Sequence, residues 1–220
     1  MNIKTAIFDM DGTLVDSLII WDVIWSAIGD KYSGDKDFRP SAEDDKKVRT
    51  LVLSDSMDLI HERYGFGESG EELLELTNAI LFDFYANKLE LKSGVREFLD
   101  YLSAQGVKMC IASATVSELI HLAMKRCDLE KYFCKVFSCG DIGKGKEHPD
   151  VFLAAMDYLG STVEETWVFE DSLVAIETAT KVGMKTVGIY DRYNFGQDEI
   201  REIATEYIAE GETLLKLLGK

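Results

Sequence analysis

The sequence contains no apolar run long enough to cross a membrane, and its start lacks the basic-then-apolar pattern of a secretory signal. These absences favour a cytoplasmic protein and argue against a membrane-embedded role. Cysteine is scarce as well: the chain has 4 cysteines, and none of them form a Cys-x-x-Cys pair. We therefore expect reduced, structural thiols, with neither a disulfide framework nor a zinc site.

Positive charge is outnumbered, because 24 lysines and arginines face 40 aspartates and glutamates, for a formal net charge of -16. Such a chain repels phosphate backbones and anionic lipid, so neither nucleic acid nor a membrane is an expected partner. A small anionic substrate stays compatible with this charge only if its site gathers positive charge locally. No feature of the sequence indicates self-association, and a monomer is the default expectation.

The 220 residues are 46% hydrophobic, which is enough for one α/β core and a small insert. The chain opens on a short apolar run, residues 3–8, of the kind that forms a buried strand in a parallel sheet. From residue 93 onward, apolar strand patterns alternate with helical ones. The later strands are predicted at 107–112, 135–139, 166–169, 185–189 and 207–209. This alternation predicts a doubly wound parallel sheet, Rossmann-like, with helices on both faces.

Helical patterns alone fill the stretch between the first strand and this alternation. We predict helices beginning near residue 18, over 42–64 and over 70–87, with Asp16 or Ser17 capping the first. An all-helical stretch directly after the first strand indicates an inserted subdomain. The predicted domains are therefore an α/β core, residues 1–15 and 90–220, and a helical cap, residues 16–89.

Polar residues follow four of the predicted strands, at the sheet edge where open α/β folds bind ligands. They are Asp9 and Asp11, Ser113 to Thr115, Gly140 and Asp141 leading to Lys146, and Glu170 to Ser172. Crowded carboxylates repel one another unless a cation lies among them, and oxygen ligands without His or Cys favour Mg²⁺. A hydroxyl, amides at a helix N-terminus and a lysine suit a phosphate group. Together they indicate phosphoryl transfer, in which one carboxylate attacks phosphorus.

These residues resemble the four motifs of the haloacid dehalogenase superfamily of phosphohydrolases. In chain order the motifs are Asp9-Met10-Asp11-Gly12-Thr13, Ser113 after an apolar strand, Lys146 before Pro149-Asp150-Val151-Phe152, and Glu170-Asp171-Ser172. The resemblance covers about residues 3 to 190 and is greatest to the branch of β-phosphoglucomutase and small sugar-phosphate phosphatases. The predicted helical insert lies where that family has its mobile C1-type cap. Two departures from the pattern are Glu147, where proline is usual, and Ala175, where glycine is common.

The resemblance implies a chemical role for each motif. Asp9 would be the nucleophile, and Asp11 would protonate the leaving oxygen and then activate water. Ser113 and the backbone amide of Ala114 would bind the phosphoryl oxygens. Lys146 would offset the charge between nucleophile and phosphate.

The resemblance also implies a magnesium site and a set of supporting residues. The implied ligands of Mg²⁺ are the carboxylates of Asp9, Glu170 and Asp171 and the backbone carbonyl of Asp11. Thr13 would orient Asp11, with Gly12 and Ser172 supporting the two loops. The cap would select the substrate, and the possible substrate contacts are Trp21, Arg49, Phe66 and His148. Packing inside the cap is the alternative for Trp21 and the preferred interpretation for Trp25.

Four other functions compete with that of a phosphatase. The dehalogenase branch lacks the second aspartate of the first motif, which is present here as Asp11. The mutases carry a cap histidine, whose place is held by Trp21. They also carry a cap arginine, whose place is held by Leu53, although Arg49, Lys46 or Lys47 could substitute after a small shift. Phosphonate hydrolysis needs a cap lysine for a Schiff base. The candidates for that lysine are Lys31, Lys36, Lys46 and Lys47.

The fourth alternative is a protein that binds a phosphorylated metabolite without turnover. Loss of Asp9, Asp11 or Lys146 would favour it, and all three are present. We therefore predict a Mg²⁺-dependent phosphatase that acts on a small phosphomonoester, a sugar phosphate or similar metabolite, through an aspartyl-phosphate intermediate.

Overall fold

The computed structural model describes residues 3–49 and 51–219, and the chain divides into two compact units. Ile19–Lys88 forms one unit, and the segments on either side of it form the other. We refer to them as the helical unit and the core unit. Among the described residues, no helix combines the length and the apolar character needed to cross a membrane.

The helical unit contains four helices among its described residues. They are α1 (Ile20–Ser33), α2 (Ala42–Val48), α3 (Leu53–Tyr64) and α4 (Gly70–Asn87). The predicted cap of the first helix, Asp16 or Ser17, is wrong, because α1 follows Ile19, whose side chain makes no capping hydrogen bond. Ser41 caps α2 instead, by accepting a hydrogen bond from the amide of Asp44.

The single helix predicted over 42–64 is two helices. The chain leaves α2 at Arg49 and enters α3 from Val52, whose backbone is extended with φ -66° and ψ 148°. Apolar residues recur at helical spacing on both sides of this break, so the periodicity did not reveal it.

The core unit is built on a sheet of six parallel strands, and the predicted doubly wound α/β fold is confirmed. The strands are β1 (Thr5–Phe8), β2 (Lys108–Ser113), β3 (Lys135–Ser138), β4 (Thr166–Glu170), β5 (Lys185–Ile189) and β6 (Glu206–Ile208). Their order is β3-β2-β1-β4-β5-β6. The order reverses at β1, which has β2 on one side and β4 on the other. Ligand-binding crevices of open sheets lie at such a reversal.

Helices cover both faces of this sheet. They are α5 (Val95–Ala104), α6 (Ser117–Arg126), α7 (Cys139–Ile142), α8 (Asp150–Leu159), α9 (Leu173–Lys181) and α10 (Gln197–Ile203), followed by a 3₁₀ helix at Leu214–Gly219. The sequence predicted neither the short α7, which Ser138 caps, nor the 3₁₀ form of the last helix. Helix α7 is a single turn that directly follows β3, and one turn is too short to show a helical period in the sequence.

Strand β1 is buried on both faces, which is why its sequence is apolar throughout. Ile7 belongs to a cluster with Phe152 of α8 and Ala175 of α9. Phe8 points to the other face, where its ring stacks on Phe169 with centroids 4.3 Å apart. Packing on both faces fixes the position of β1 in the sheet. It therefore also fixes the position of the residue that follows the strand.

Candidate active site

Asp9 is the first residue after β1, and the sheet holds its backbone. Its amide donates to the carbonyl oxygen of Phe169 at 2.9 Å, which continues the pairing with β4 by one residue. The residue is 7% exposed. A carboxylate at the centre of the sheet edge, with a fixed backbone, is well suited to act as a directed nucleophile.

The loop after Asp9 turns back on itself within a few residues. The amides of Leu14 and Val15 donate to the carbonyl of Met10, at 2.9 and 3.1 Å. Gly12 lies in this turn with φ +75°, and a Cβ at this position would be 2.0 Å from Oδ2 of Asp171. Both the backbone conformation and the close approach therefore require glycine. The loop after β1 is thus packed directly against the loop after β4.

Three carboxylates meet at this point, those of Asp9, Glu170 and Asp171. One oxygen from each lies within 4.8 Å of the others, and all three residues are buried. Lys146 enters the cluster from the loop between α7 and α8. Its ammonium donates to Oδ1 of Asp9 at 2.6 Å and to Oε1 of Glu170. One lysine among three carboxylates leaves a net negative charge when all of them are ionised, and that charge favours a cation.

Glu170 also stabilises the start of the loop after β4. Its Oε2 accepts hydrogen bonds from the backbone amides of Asp171 and Ser172, both at 2.8 Å. The carboxylate is therefore held by Lys146 on one oxygen and by two amides on the other. This arrangement fixes its orientation, and it accounts for Ser172 as a residue that shapes the loop through its backbone.

Burial changes the acidity of the cluster. Desolvation raises the pKa of Asp9 to about 7, although the charge of Lys146 opposes that rise. Desolvation, with the charges of Glu170 and Asp9, also raises the pKa of Asp171 well above its ordinary value. Burial alone would lower the pKa of Lys146, but the two carboxylates raise it and keep the lysine charged. Removing the carboxylates from water thus favours protons or a metal ion among them.

Thr13 is predicted to orient Asp11, and that role stays a prediction. The hydroxyl of Thr13 donates to Oδ1 of Asp171 at 2.9 Å. The hydroxyl of Thr115 donates to Oδ2 of Asp11 at 2.7 Å. Thr115 follows β2, the strand beside β1, so the two side chains meet across neighbouring strand ends. Sequence distance hid this contact, because the residues lie 104 positions apart.

The predicted phosphate-binding residues lie at the end of β2. Ser113 is buried, and its Oγ accepts a hydrogen bond from the amide of Thr115 at 3.1 Å. Ala114 is exposed. The hydroxyl of Ser113 keeps its proton for another acceptor, since this contact uses only its oxygen. Its role toward phosphate stays a prediction.

Two of the predicted substrate contacts, Trp21 and Arg49, pair with each other inside the helical unit. The guanidinium of Arg49 lies over the ring of Trp21, 5.4 Å from its centroid. It also donates to both carboxylate oxygens of Asp45, at 2.9 and 3.2 Å. Trp25 is buried and donates its indole N–H to the same aspartate at 2.9 Å. Each of these groups has a structural partner within the unit, and contact with substrate stays a prediction.

The other two candidates, Phe66 and His148, differ in their surroundings. Phe66 packs in an aromatic cluster of the helical unit, with its ring centroid 4.8 Å from that of Phe38 and near those of Tyr32 and Tyr64. The imidazole of His148 is exposed, and Glu147 lies 3.9 Å from it. Packing explains Phe66, whereas no contact among the described residues assigns a role to His148.

The sequence patterns did not identify Asn194, a residue that contacts the cluster from the loop after β5. Asn194 donates from its side-chain amide to Oδ2 of Asp171 and, at 3.3 Å, to the carbonyl of the same residue. The position of Asn194 after a predicted strand could have identified it, because residues 190–194 follow β5 and therefore lie at the same sheet edge. The predicted site drew on four strand ends, and that of β5 was not among them.

The sequence profile of the haloacid dehalogenase-like hydrolases matches residues 6–189 of the chain. The match spans both strands that carry the carboxylates and all four predicted motifs. The chain belongs to the haloacid dehalogenase-like hydrolase family. Relatives of the chain are named phosphatases, in agreement with the predicted enzyme class.

Two curated relatives and one solved structure define the likeness further. A "phosphorylated carbohydrates phosphatase" of Thermotoga maritima is 24% identical over 217 residues, covering 98% of each chain. Hexitol phosphatase B of Escherichia coli is 27% identical over 186 residues, covering 84% of this chain and 82% of its own. A crystal structure from T. maritima, assigned provisionally as a β-phosphoglucomutase, superimposes with a TM-score of 0.81 at 24% identity and 99% coverage of both chains. At that identity the structural likeness shows the shared fold.

Proposed function

We propose that this protein is a Mg²⁺-dependent phosphatase that hydrolyses a small phosphorylated carbohydrate through an aspartyl-phosphate intermediate. The observation that carries the proposal is the buried cluster of Asp9, Glu170 and Asp171, with Lys146 bonded to two of its members. A carboxylate poised beside a cation and a metal-binding group of oxygens is the arrangement that nucleophilic phosphoryl transfer requires.

The donor set of this cluster fits Mg²⁺. All of its donors are carboxylate oxygens, and hard oxygen ligands favour magnesium over softer metals. The side chains of Asp9, Glu170 and Asp171 would hold the ion, with the backbone carbonyl of Asp11 as the further ligand that the family resemblance implies. When bound, the ion would offset the negative charge of the carboxylates and of the phosphoryl oxygens.

The first step transfers the phosphoryl group to the protein. A carboxylate oxygen of Asp9 attacks phosphorus, the bond to the ester oxygen breaks, and Asp11 gives that oxygen its proton. Lys146 holds Oδ1 of Asp9 and so fixes the orientation of the nucleophile. Thr115, through its hydrogen bond to Oδ2, holds Asp11 at the sheet edge beside it.

The second step returns the nucleophile. Asp11, now ionised, takes a proton from water, and the resulting hydroxide attacks the phosphorus of the aspartyl phosphate. The acyl–phosphate bond breaks, inorganic phosphate leaves, and the carboxylate of Asp9 is restored. Ser113, with a hydroxyl proton to donate, would bind the phosphoryl oxygens in both steps.

A phosphorylated carbohydrate is the substrate class that the names of the two curated relatives support. The partner in this proposal is therefore a small phosphorylated metabolite, acted on by a cytoplasmic monomer. The helical unit, as the cap of the family, would choose among such metabolites and exclude bulk water.

A mutase is the second candidate function, and the contacts of Arg49 disfavour it. A mutase must grip a second phosphate, and the arginine considered for this role, beside Lys46 and Lys47, is Arg49. Its guanidinium already holds Asp45 with two hydrogen bonds and stacks on Trp21. For phosphonate hydrolysis, Lys31 is the candidate that the structure disfavours, because hydrogen bonds to Tyr32 and Glu72 raise its pKa, whereas a Schiff base needs a neutral amine.

The test is hydrolysis of p-nitrophenyl phosphate and of a panel of sugar and hexitol phosphates, with Mg²⁺ and with EDTA. We expect phosphate release that needs Mg²⁺ and is faster for a member of the carbohydrate panel than for the aryl ester. Absence of release with any divalent ion would refute the enzyme. Conversion of a hexose 1-phosphate to its 6-phosphate without phosphate release would establish the mutase instead.

A further inference from the structure

Asp171 is held between two donors that come from different loops. The hydroxyl of Thr13 donates to Oδ1, and the amide of Asn194 donates to Oδ2. Among the described hydrogen bonds to this carboxylate, both side-chain donors are uncharged. Asp9 and Glu170 differ in this respect, because both bond to the ammonium of Lys146. The orientation of Asp171 is thus fixed without a hydrogen bond from a cation.

The position of Asn194 depends on a turn centred on Asp191, a buried residue that the proposed chemistry does not use. Oδ1 of Asp191 accepts from the amide of Tyr193 at 2.9 Å, and its carbonyl accepts from the amide of Asn194 at 3.1 Å. The side chain of Gln197 donates to the same carbonyl at 3.3 Å. These bonds close the loop that follows β5, and they direct Asn194 toward Asp171.

Asp191 is in turn held by Lys92. The ammonium of Lys92 lies 2.8 Å from Oδ2 of Asp191 and donates to the carbonyl of Tyr190 at 3.1 Å. The carboxylate is 4% exposed, so the pair is largely shielded from water. The backbone amide of Lys92 donates to the carbonyl of Leu14 at 3.0 Å. One residue therefore ties the loop after β5 to the loop after β1, which carries Thr13.

We propose that Asn194 is a positioning residue that orients the carboxylate of Asp171 for a divalent cation, and that the buried Asp191–Lys92 pair acts through it. This inference rests on the proposed function only in its choice of Mg²⁺. A neutral amide suits this task, since it orients the carboxylate and leaves its charge for the metal. Groups that orient metal ligands in this way strongly affect metal affinity.

The test is titration of the purified protein with Mg²⁺ alone, by calorimetry, in the absence of any phosphate ester. We expect Asn194→Ala to raise the dissociation constant for Mg²⁺ by about 10- to 100-fold. Asn194→Asp removes the same donor but adds a negative charge that attracts the cation, so it should raise the dissociation constant less than Asn194→Ala does. Asn87→Asp is the matched control, since Asn87 also donates to an aspartate, Asp83, at 2.9 Å, but in an exposed contact at the end of α4. It should leave the dissociation constant unchanged.

A second measurement separates positioning from a general loss of stability. The thermal midpoint of metal-free Asn194→Ala should stay near that of the wild-type protein, whereas the rise in midpoint on adding Mg²⁺ should shrink. Asn194→Ser, which keeps a small polar side chain, serves if the alanine variant does not fold. An equal Mg²⁺ dissociation constant in the wild-type protein and the folded variant overturns the proposal, as does absence of Mg²⁺ binding by the wild type.

A double-mutant cycle tests the part played by the ion pair. Asp191→Asn should weaken Mg²⁺ binding in the wild-type background and have little further effect when Asn194 is alanine. Additive effects would overturn the claim that Asp191 acts through Asn194. The outcome is independent of catalysis: a protein that binds Mg²⁺ through Asn194 and hydrolyses nothing refutes the phosphatase, and leaves this inference standing.

Discussion

The buried carboxylate cluster of the core unit and the carboxylates on the surface of the helical unit have pKa values shifted in opposite directions. In the core unit, Asp9 is buried with two other carboxylates, and desolvation raises its pKa to about 7. In the helical unit, Glu72 accepts hydrogen bonds from the amide of Glu68, from Tyr32 and from Lys31. These contacts, led by the backbone amide, lower its pKa to about 2. Asp83, bonded to Lys88 and Asn87, has a lowered pKa as well.

The direction of the pKa shift distinguishes carboxylates that stabilise the fold from carboxylates that can take part in catalysis. An exposed carboxylate surrounded by donors is most stable when ionised, and it stays so over the whole physiological range. A buried group of carboxylates with too few donors is unstable until a proton or a metal enters. Perturbed acidity of this kind is concentrated at functional sites.

The strongest test of this contrast replaces one aspartate in each unit by asparagine. Asp9→Asn removes the nucleophile, and we expect the rate of p-nitrophenyl phosphate hydrolysis to fall by about four orders of magnitude or more. Asp83→Asn, the same change on the exposed face of α4, should leave the rate near that of the wild type. Equal rates for the two variants would remove the distinction between the units, and with it the nucleophile.

Replacing one lysine in each unit tests the same contrast through the cations. Lys146→Met leaves Asp9 and Glu170 without their shared partner, and we expect kcat to fall by about 10²- to 10³-fold. Loss of one partner of a buried pair should also cost about 3–5 kcal/mol of unfolding free energy at pH 7, measured in urea. Lys88→Met removes the exposed partner of Asp83 and should change neither quantity appreciably.

Thr115 sharpens the comparison within the site itself. Thr115→Val removes the hydroxyl that donates to Asp11, and a hydrogen bond to a charged group is worth about 1.5–3 kcal/mol, or roughly 10- to 100-fold in rate. Thr115→Ser restores the hydroxyl and should restore most of the activity. If Thr115→Val keeps the wild-type rate while Thr115→Ser is slow, the methyl group and not the hydrogen bond is what Asp11 needs.

The raised pKa of Asp9 predicts how Mg²⁺ binding depends on pH. Below about pH 7 the carboxylate of the metal-free protein holds a proton, which the cation must displace. The apparent Mg²⁺ affinity should therefore rise with pH up to about 7, by at most roughly tenfold per unit, and level off above it. Calorimetry in buffers of different ionisation enthalpy measures the released proton. Asp9→Asn should reduce that release, leaving the part that comes from Asp171.

The smallest expected effect is in the helical unit. Because the folded pKa of Glu72 lies below that of the unfolded chain, its contribution to stability is present at neutral pH and is lost as the pH falls from about 4.5 toward 2. Glu72→Gln should lower the urea midpoint slightly at pH 7 and reduce the loss of stability in acid. A variant whose acid profile matches that of the wild type would show that the three hydrogen bonds contribute nothing net.

Much of the fold could be predicted from local patterns. The continuous apolar run of β1 indicated a buried strand, and the alternation of strands and helices indicated a parallel sheet. The break between α2 and α3 was missed because the apolar spacing continues across it. The predicted N-cap residue of α1 was wrong because Asp16 and Ser17 precede a turn and not the helix itself.

What the sequence alone determined is which polar residues stand at the ends of strands, since an apolar run and its end are local features. Asp9, Ser113 and Glu170 are identified on that basis alone. What only the tertiary structure decided is which groups hold them. Thr115 reaches Asp11 across 104 residues of chain, and Asn194 reaches Asp171 across 23. Such contacts depend on the order of the strands in the sheet and on the conformation of the loops that follow them. Neither the strand order nor the loop conformation can be predicted from a local sequence pattern.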